Sequence, residues 1–117
     1  MLKGTWTFRL QSLKFTYSSR EYMTYDSTQR YKMIIDNEKV TLQPEGNGES
    51  FVYNAYIYDD ATKKLTLTHA ADEKTDAAEE IFDVQTLSKT QLLLHSASEQ
   101  RLNGEQVVVD VFWEYVK

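Results

Sequence analysis

The chain reads as all-β, an eight-stranded antiparallel up-and-down β-barrel, on three observations. Apolar and aromatic residues alternate with polar ones in short runs, as in the opening Thr5, Trp6, Thr7, Phe8, which is the period of a strand with one buried face. Turn chemistry punctuates these runs, most clearly at Asn103 and Gly104, where a two-residue hairpin turn needs positive φ at both positions. No connection is long enough for a crossover, so consecutive strands pair as a meander, and closing the meander removes its exposed edges. The composition suits a sheet, with eight tyrosines, five phenylalanines and two tryptophans against one proline. The 117 residues make a single domain, 1–117.

The first strand covers residues 4–17. Trp6, Phe8 and Leu10 share one parity and Leu13, Phe15 and Tyr17 the other, so a bulge near Gln11 and Ser12 is expected to bring all six inside. Residues 18–29, with Tyr22, Met23 and Tyr25 irregularly spaced, read as a long loop. Strands at 30–36 and 39–43 flank a tight turn at Asn37 and Glu38, with Ile35 opposite Val40 and Met33 opposite Leu42. A loop at 44–50 carries Pro44, Gly46, Asn47 and Gly48. Strands at 51–58 and 64–68 enclose a turn at 59–63, with Ile57 facing Leu65 and Tyr53 near His69. An acidic, alanine-rich loop at 70–79 leads to a strand at 80–86, a turn at Ser88 and Lys89, and a strand from Thr90. The last hairpin pairs Leu102 with Glu105. That register sets Leu94 beside Trp113, Leu92 beside Tyr115, and Ser96, Ser98 and Gln100 beside Val111, Val109 and Val107.

Gly4, one spacer and Trp6 at the head of the first strand, together with the segment from Asp60 to Leu67 (DATKKLTL), resemble the lipocalin-like (calycin) domains of secreted or lipid-anchored proteins in Bacteroides-type bacteria. The glycine admits the backbone where a Cβ would clash, and the tryptophan plugs the barrel floor with one N–H to satisfy. The resemblance implies a floor near Trp6 and the C-terminus and a mouth ringed by the long loops. It also implies an extracytoplasmic protein, periplasmic or at the cell surface, delivered by a leader or lipid anchor ahead of Met1. The chain departs from the main lipocalin pattern at Leu87, Ser88 and Lys89, where Thr, Asp, Tyr is usual, and it ends on Lys117 where an arginine would stack on the tryptophan.

Charge and composition narrow the function. A net charge of −5 offers no basic stripe for a nucleic acid or an anionic membrane. No apolar run approaches the ~20 residues of a membrane-spanning helix, so no membrane insertion of the domain is expected. The absence of cysteine removes disulfides, thiolate metal sites and cysteine nucleophiles. His69 and His95 lack a convergent third ligand, with His69 expected inward and His95 outward beside Phe112. Asp72, Glu73, Asp76, Glu79 and Glu80 read as a solvated charge run. With no phosphate loop, nucleophile elbow or spaced carboxylate pair, neither an enzyme nor a cofactor is expected.

Solid packing is expected near the floor from Trp6, Phe8, Ile35, Ile57, Leu65, Leu92, Leu94, Trp113 and Tyr115. Toward the mouth the inward positions become Tyr17, Tyr31, Tyr53, His69, Ser96, Ser98 and Gln100. Inward polar groups are costly unless hydrogen-bonded or wet, so these seven are the candidate site for a small apolar or amphipathic ligand. The competing reading has the tyrosines pack the barrel shut, leaving a protein-interaction or inhibitor module whose mouth loops present Tyr22, Met23 and Tyr25. A β-sandwich crossing between sheets through the long loops is the alternative fold.

Overall fold

The computed structural model describes residues 2–46 and 48–117; Met1, and Asn47 of the 44–50 loop, lie outside the described residues. Ten strands follow one another: β1 (Gly4–Thr16), β2 (Glu21–Asp26), β3 (Tyr31–Ile35), β4 (Val40–Pro44), β5 (Phe51–Tyr53), β6 (Ala55–Asp59), β7 (Lys64–His69), β8 (Ala78–Leu87), β9 (Gln91–Leu102) and β10 (Glu105–Val116). All join one antiparallel sheet in the order β5-β4-β3-β1-β10-β9-β8-β7-β6, with β2 beside β1. The sheet curls into a nearly closed barrel.

Ten strands replace the expected eight for two local reasons. The stretch at 18–29 holds β2, which pairs with Gln11 to Thr16 while β3 pairs with Gly4 to Thr7. Both lie along the same edge of β1, so β2 and β3 act as one interrupted stave. The expected fourth strand is broken at Asn54: β5 pairs with β4 and β6 pairs with β7. Asparagine disfavours strands, and here its side chain accepts the Ala70 N–H at 2.9 Å. The Val52 carbonyl faces His69 Nδ1 at 3.0 Å. Side chains thus close the wall between β5 and β7.

The hairpin registers of β3 with β4 and β9 with β10 agree with the expected pairs throughout. Asn103 and Gly104 take φ of 52° and 82°, the left-handed pair that turn requires. Two other registers differ. The β1 bulge falls between Phe8 and Leu10 rather than at Gln11 and Ser12, so Leu10 pairs with Glu114 on the outer face and Gln11 with Trp113 on the inner one. In β6, Tyr58 rather than Ile57 opposes Leu65; one residue of slip turns every side chain over, and Ile57 is 70% exposed.

The floor is a knot around Trp6, which is fully buried. Its Nε1–H donates to the Leu2 carbonyl at 2.8 Å, and Lys117 Nζ sits 4.4 Å from its ring centre. That ammonium also donates to the Lys3 carbonyl at 2.9 Å. Gly4 has φ of +133°, and a Cβ there would lie 3.0 Å from Lys117 Cε. Lysine therefore occupies the capping place over the tryptophan, and glycine makes room for it. Above the knot, Ile35, Val40, Leu65 and Leu92 form a dry layer, none more than 2% exposed.

Trp6→Ala is expected to cost about 3–5 kcal/mol, the range for emptying a buried aromatic site. Gly4→Ala should cost about 1–3 kcal/mol through its backbone conformation, and Lys117→Ala about 1 kcal/mol. Urea unfolding measures all three, and a neutral Gly4→Ala would refute the strained positive φ at Gly4.

Candidate functional site

Each inward row gains polarity as it climbs from the floor. Ile35, Met33 and Tyr31 follow one another up β3, while Val84, Phe82 and Glu80 do so in β8 and Leu92, Leu94 and Ser96 in β9. At that height the barrel opens into a cavity of about 410 Å³, within the size range of small-molecule sites. Met33, Leu42, Leu67, Leu94, Phe82 and Trp113 supply its apolar wall, and Tyr31, Tyr53, Tyr115, Ser96 and Glu80 its polar groups. Phe82 and Trp113 pack edge to face with ring centres 5.2 Å apart, which fixes both rings against the space. Exposed Glu80 and Ile81 mark its rim.

The phenols form two anchored groups. Tyr31 and Tyr115 share a hydrogen bond of 2.7 Å between their hydroxyls, and Phe8 stacks on Tyr31 at 5.0 Å and meets Tyr115 edge-on at 6.1 Å. Only one of two paired hydroxyls needs to donate to the other, so the pair keeps a proton to offer elsewhere. Tyr53 spends its proton on the Glu80 carboxylate and keeps oxygen lone pairs toward the cavity. Burial pushes the pKa of all three upward, reinforced at Tyr53 by its hydrogen bond to Glu80 and at Tyr115 by the neighbouring Tyr31. The site is a hydrogen-bonding pocket whose one ionic side chain is a carboxylate on its rim.

Of the seven expected site residues, Tyr31, Tyr53 and Ser96 line this cavity. Tyr17, His69, Ser98 and Gln100 do not. Tyr17 lies just past the end of β1, stacked on Tyr22 at 5.8 Å and beneath the Arg20 guanidinium at 4.0 Å. Ser98 and Gln100 are exposed on the upper part of β9, beyond the last residue that β8 pairs, His95. His69 is buried but borders a separate polar recess of about 360 Å³ with Asn54 and Asp72. Its Nε2 has no hydrogen-bond partner and stands 3.8 Å from Asp72 Oδ2.

Four residues assigned elsewhere belong to the site. Leu94, Trp113 and Tyr115 were expected to pack solidly at the floor, yet they border the cavity, because Trp6 and the dry layer above it already fill the floor. Glu80, read with the solvated charges, is exposed and at the same time opposes Leu67 and borders the cavity. The alternation Glu80, Phe82, Val84 carries that signal. His95 faces outward beside Phe112 as expected, its ring nitrogens 3.0 Å from Asp83 and 2.8 Å from Asp110. Asp83 also pairs with Lys64, and these two contacts, Lys64 foremost, lower its pKa. Among the described residues no group of three or more metal-ligating side chains converges, and no helix is long and apolar enough to cross a membrane.

No known family model, curated protein or solved structure matches the chain.

In the unfolded chain the cavity phenols ionise near the ordinary 10.0, whereas in the folded chain their pKa is raised. The unfolded state therefore loses protons first, so stability is undiminished below about pH 10 and falls as the pH rises above it. Phenolate absorbance should show Tyr31, Tyr53 and Tyr115 ionising late, and Tyr53→Phe should remove part of the late phase. If all eight tyrosines titrate together near pH 10, the cavity phenols are not desolvated.

Proposed function

We propose that the protein holds an apolar or amphipathic small molecule in the upper half of its barrel and carries out no catalysis of its own. The observation behind this reading is the cavity of about 410 Å³ whose apolar walls converge on anchored phenols, one serine and one carboxylate. A few placed polar groups in an apolar concavity are the usual form of a small-molecule site. The nearly closed antiparallel barrel and the glycine, tryptophan and lysine at its floor support the lipocalin-like resemblance of the Bacteroides-type domains. An extracytoplasmic location is part of the same proposal.

A second reading rests on β2. Its outer edge pairs with no strand among the described residues, and Tyr22, Met23 and Tyr25 are exposed on it. They stand on an edge strand rather than a loop, and an open edge can take up a partner's strand. This is the protein-interaction alternative.

Titration with N-phenyl-1-naphthylamine, a neutral environment-sensitive fluorophore, separates the two. Saturable uptake of one probe per chain is expected, weakened about tenfold in Ser96→Phe, because added side-chain volume in a fitted space costs about 1–3 kcal/mol. Circular dichroism checks that the variant stays folded. A folded protein that takes up no probe would remove the binding reading and leave the β2 edge as the functional surface.

A further inference from the structure

We propose that the ligand carries a protonated amine on its apolar body, and that the ammonium group lies at Glu80 against the rings and hydroxyls of Tyr53 and Tyr31. This rests on the small-molecule reading above and names the chemistry of its ligand.

Three observations converge on it. The first is charge. Among the described residues that line the cavity, Glu80 is the only ionic one, and none of the described ion pairs neutralises it. A ligand carboxylate would leave water to meet a like charge with no lysine or arginine in the wall, whereas an ammonium would meet its counter-ion. The second is position. Glu80 opposes Leu67 on the inner face of the barrel, and Tyr53 donates to its Oε2. One carboxylate oxygen is thereby fixed, and the other has no hydrogen-bond partner among the described residues.

The third is the wall. Tyr31, Tyr53, Phe82, Trp113 and Tyr115 surround one space. Aromatic faces attract a cation through the ring quadrupole, and more strongly when the cation is partly desolvated. The apolar side chains below, Met33, Leu42, Leu67 and Leu94, accept the remainder of the molecule. A carboxylate at the rim, aromatic rings beside it and aliphatic walls below describe a receptor for a primary alkyl- or arylalkylammonium ion. A fatty acid of the same length presents the wrong charge.

A matched series tests this with one apolar body and three head groups: 4-phenylbutylamine, 4-phenylbutanol and 4-phenylbutanoate, each displacing N-phenyl-1-naphthylamine at neutral pH. The amine should displace the probe about tenfold more strongly than the alcohol, the combined size of a part-exposed ion pair and a cation–π contact. The carboxylate should be weaker than both. Added salt should narrow the advantage of the amine. Glu80→Gln should bring amine and alcohol within about twofold of each other, and because that ratio is taken within one protein, a general loss of binding cancels. Probe uptake with equal displacement by amine and carboxylate, or an amine preference unchanged in Glu80→Gln, overturns the amine assignment and leaves the cavity reading standing. No probe uptake by the folded protein overturns both.

Discussion

The barrel depends on how β1 is held. This one strand pairs with β10 along one edge and with β3 and then β2 along the other, so its course sets the course of the whole sheet. Its lower end is tied at Trp6 by the Leu2 carbonyl and by Lys117. Lys117 directly follows β10, and its backbone N–H reaches the Thr90 carbonyl at 3.1 Å. The tie therefore joins the first strand, the last strand and the turn before β9. Gly4 supplies the positive φ of +133° at this point, and a Cβ there would crowd the end of the Lys117 side chain.

Above that tie β1 is bulged between Phe8 and Leu10. An extra residue on one strand bends it and increases its twist. The bend lets the lower half of β1 pair with β3 inside the barrel while the upper half diverges with β2. Beyond the cavity, β2, β1, β10 and the end of β9 continue as a four-stranded extension, in which Val107 and Val109 are buried. The bulge also exchanges Leu10 for Gln11 on the inner face, opposite Trp113. Above Gln11 the inner face of β1 turns apolar again, with Leu13 opposite Val111 and Phe15 opposite Val109.

How much of this is legible in the sequence depends on what fixes each register. Where a turn of defined geometry joins strands with apolar residues on one face, as at Asn103 and Gly104, every cross-strand pair follows by counting. The turn at Asn37 and Glu38 works similarly, because the Asp36 carboxylate accepts from the amides of Glu38 and Lys39, each at 2.8 Å. β2 shows no such pattern. Tyr22 turns inward onto Phe15 while Met23 and Tyr25 turn outward, and apolar residues on both faces erase the two-residue period. The slip at Ile57 has another origin: the turn at 59–63 admits more than one count, and Asn54 breaks the strand that would have set its phase. Glu80 escaped because its neighbours in sequence are acidic, although its partner across the sheet is Leu67.

The wall between β5 and β7 is closed by side chains rather than by a backbone ladder. Between β5 and β7 the joining contacts involve the side chains of Asn54 and His69, and from β5 across to β8 the hydroxyl of Tyr53 reaches Glu80. Side-chain hydrogen bonds contribute about 1 kcal/mol each and do not repeat along the strand as a ladder does. A continuous ladder would align the backbones a fixed ~4.8 Å apart. With side-chain links in place of a ladder, Asn54 and His69 border the recess of about 360 Å³, whereas the cavity of about 410 Å³ is lined by Phe82 and Ser96, just beyond the last β8–β9 pair at Asp83 and His95. The broken stave at Asn54 and the recess beside His69 are therefore two consequences of one local choice, a residue that gives its side chain rather than its backbone to the neighbouring strand.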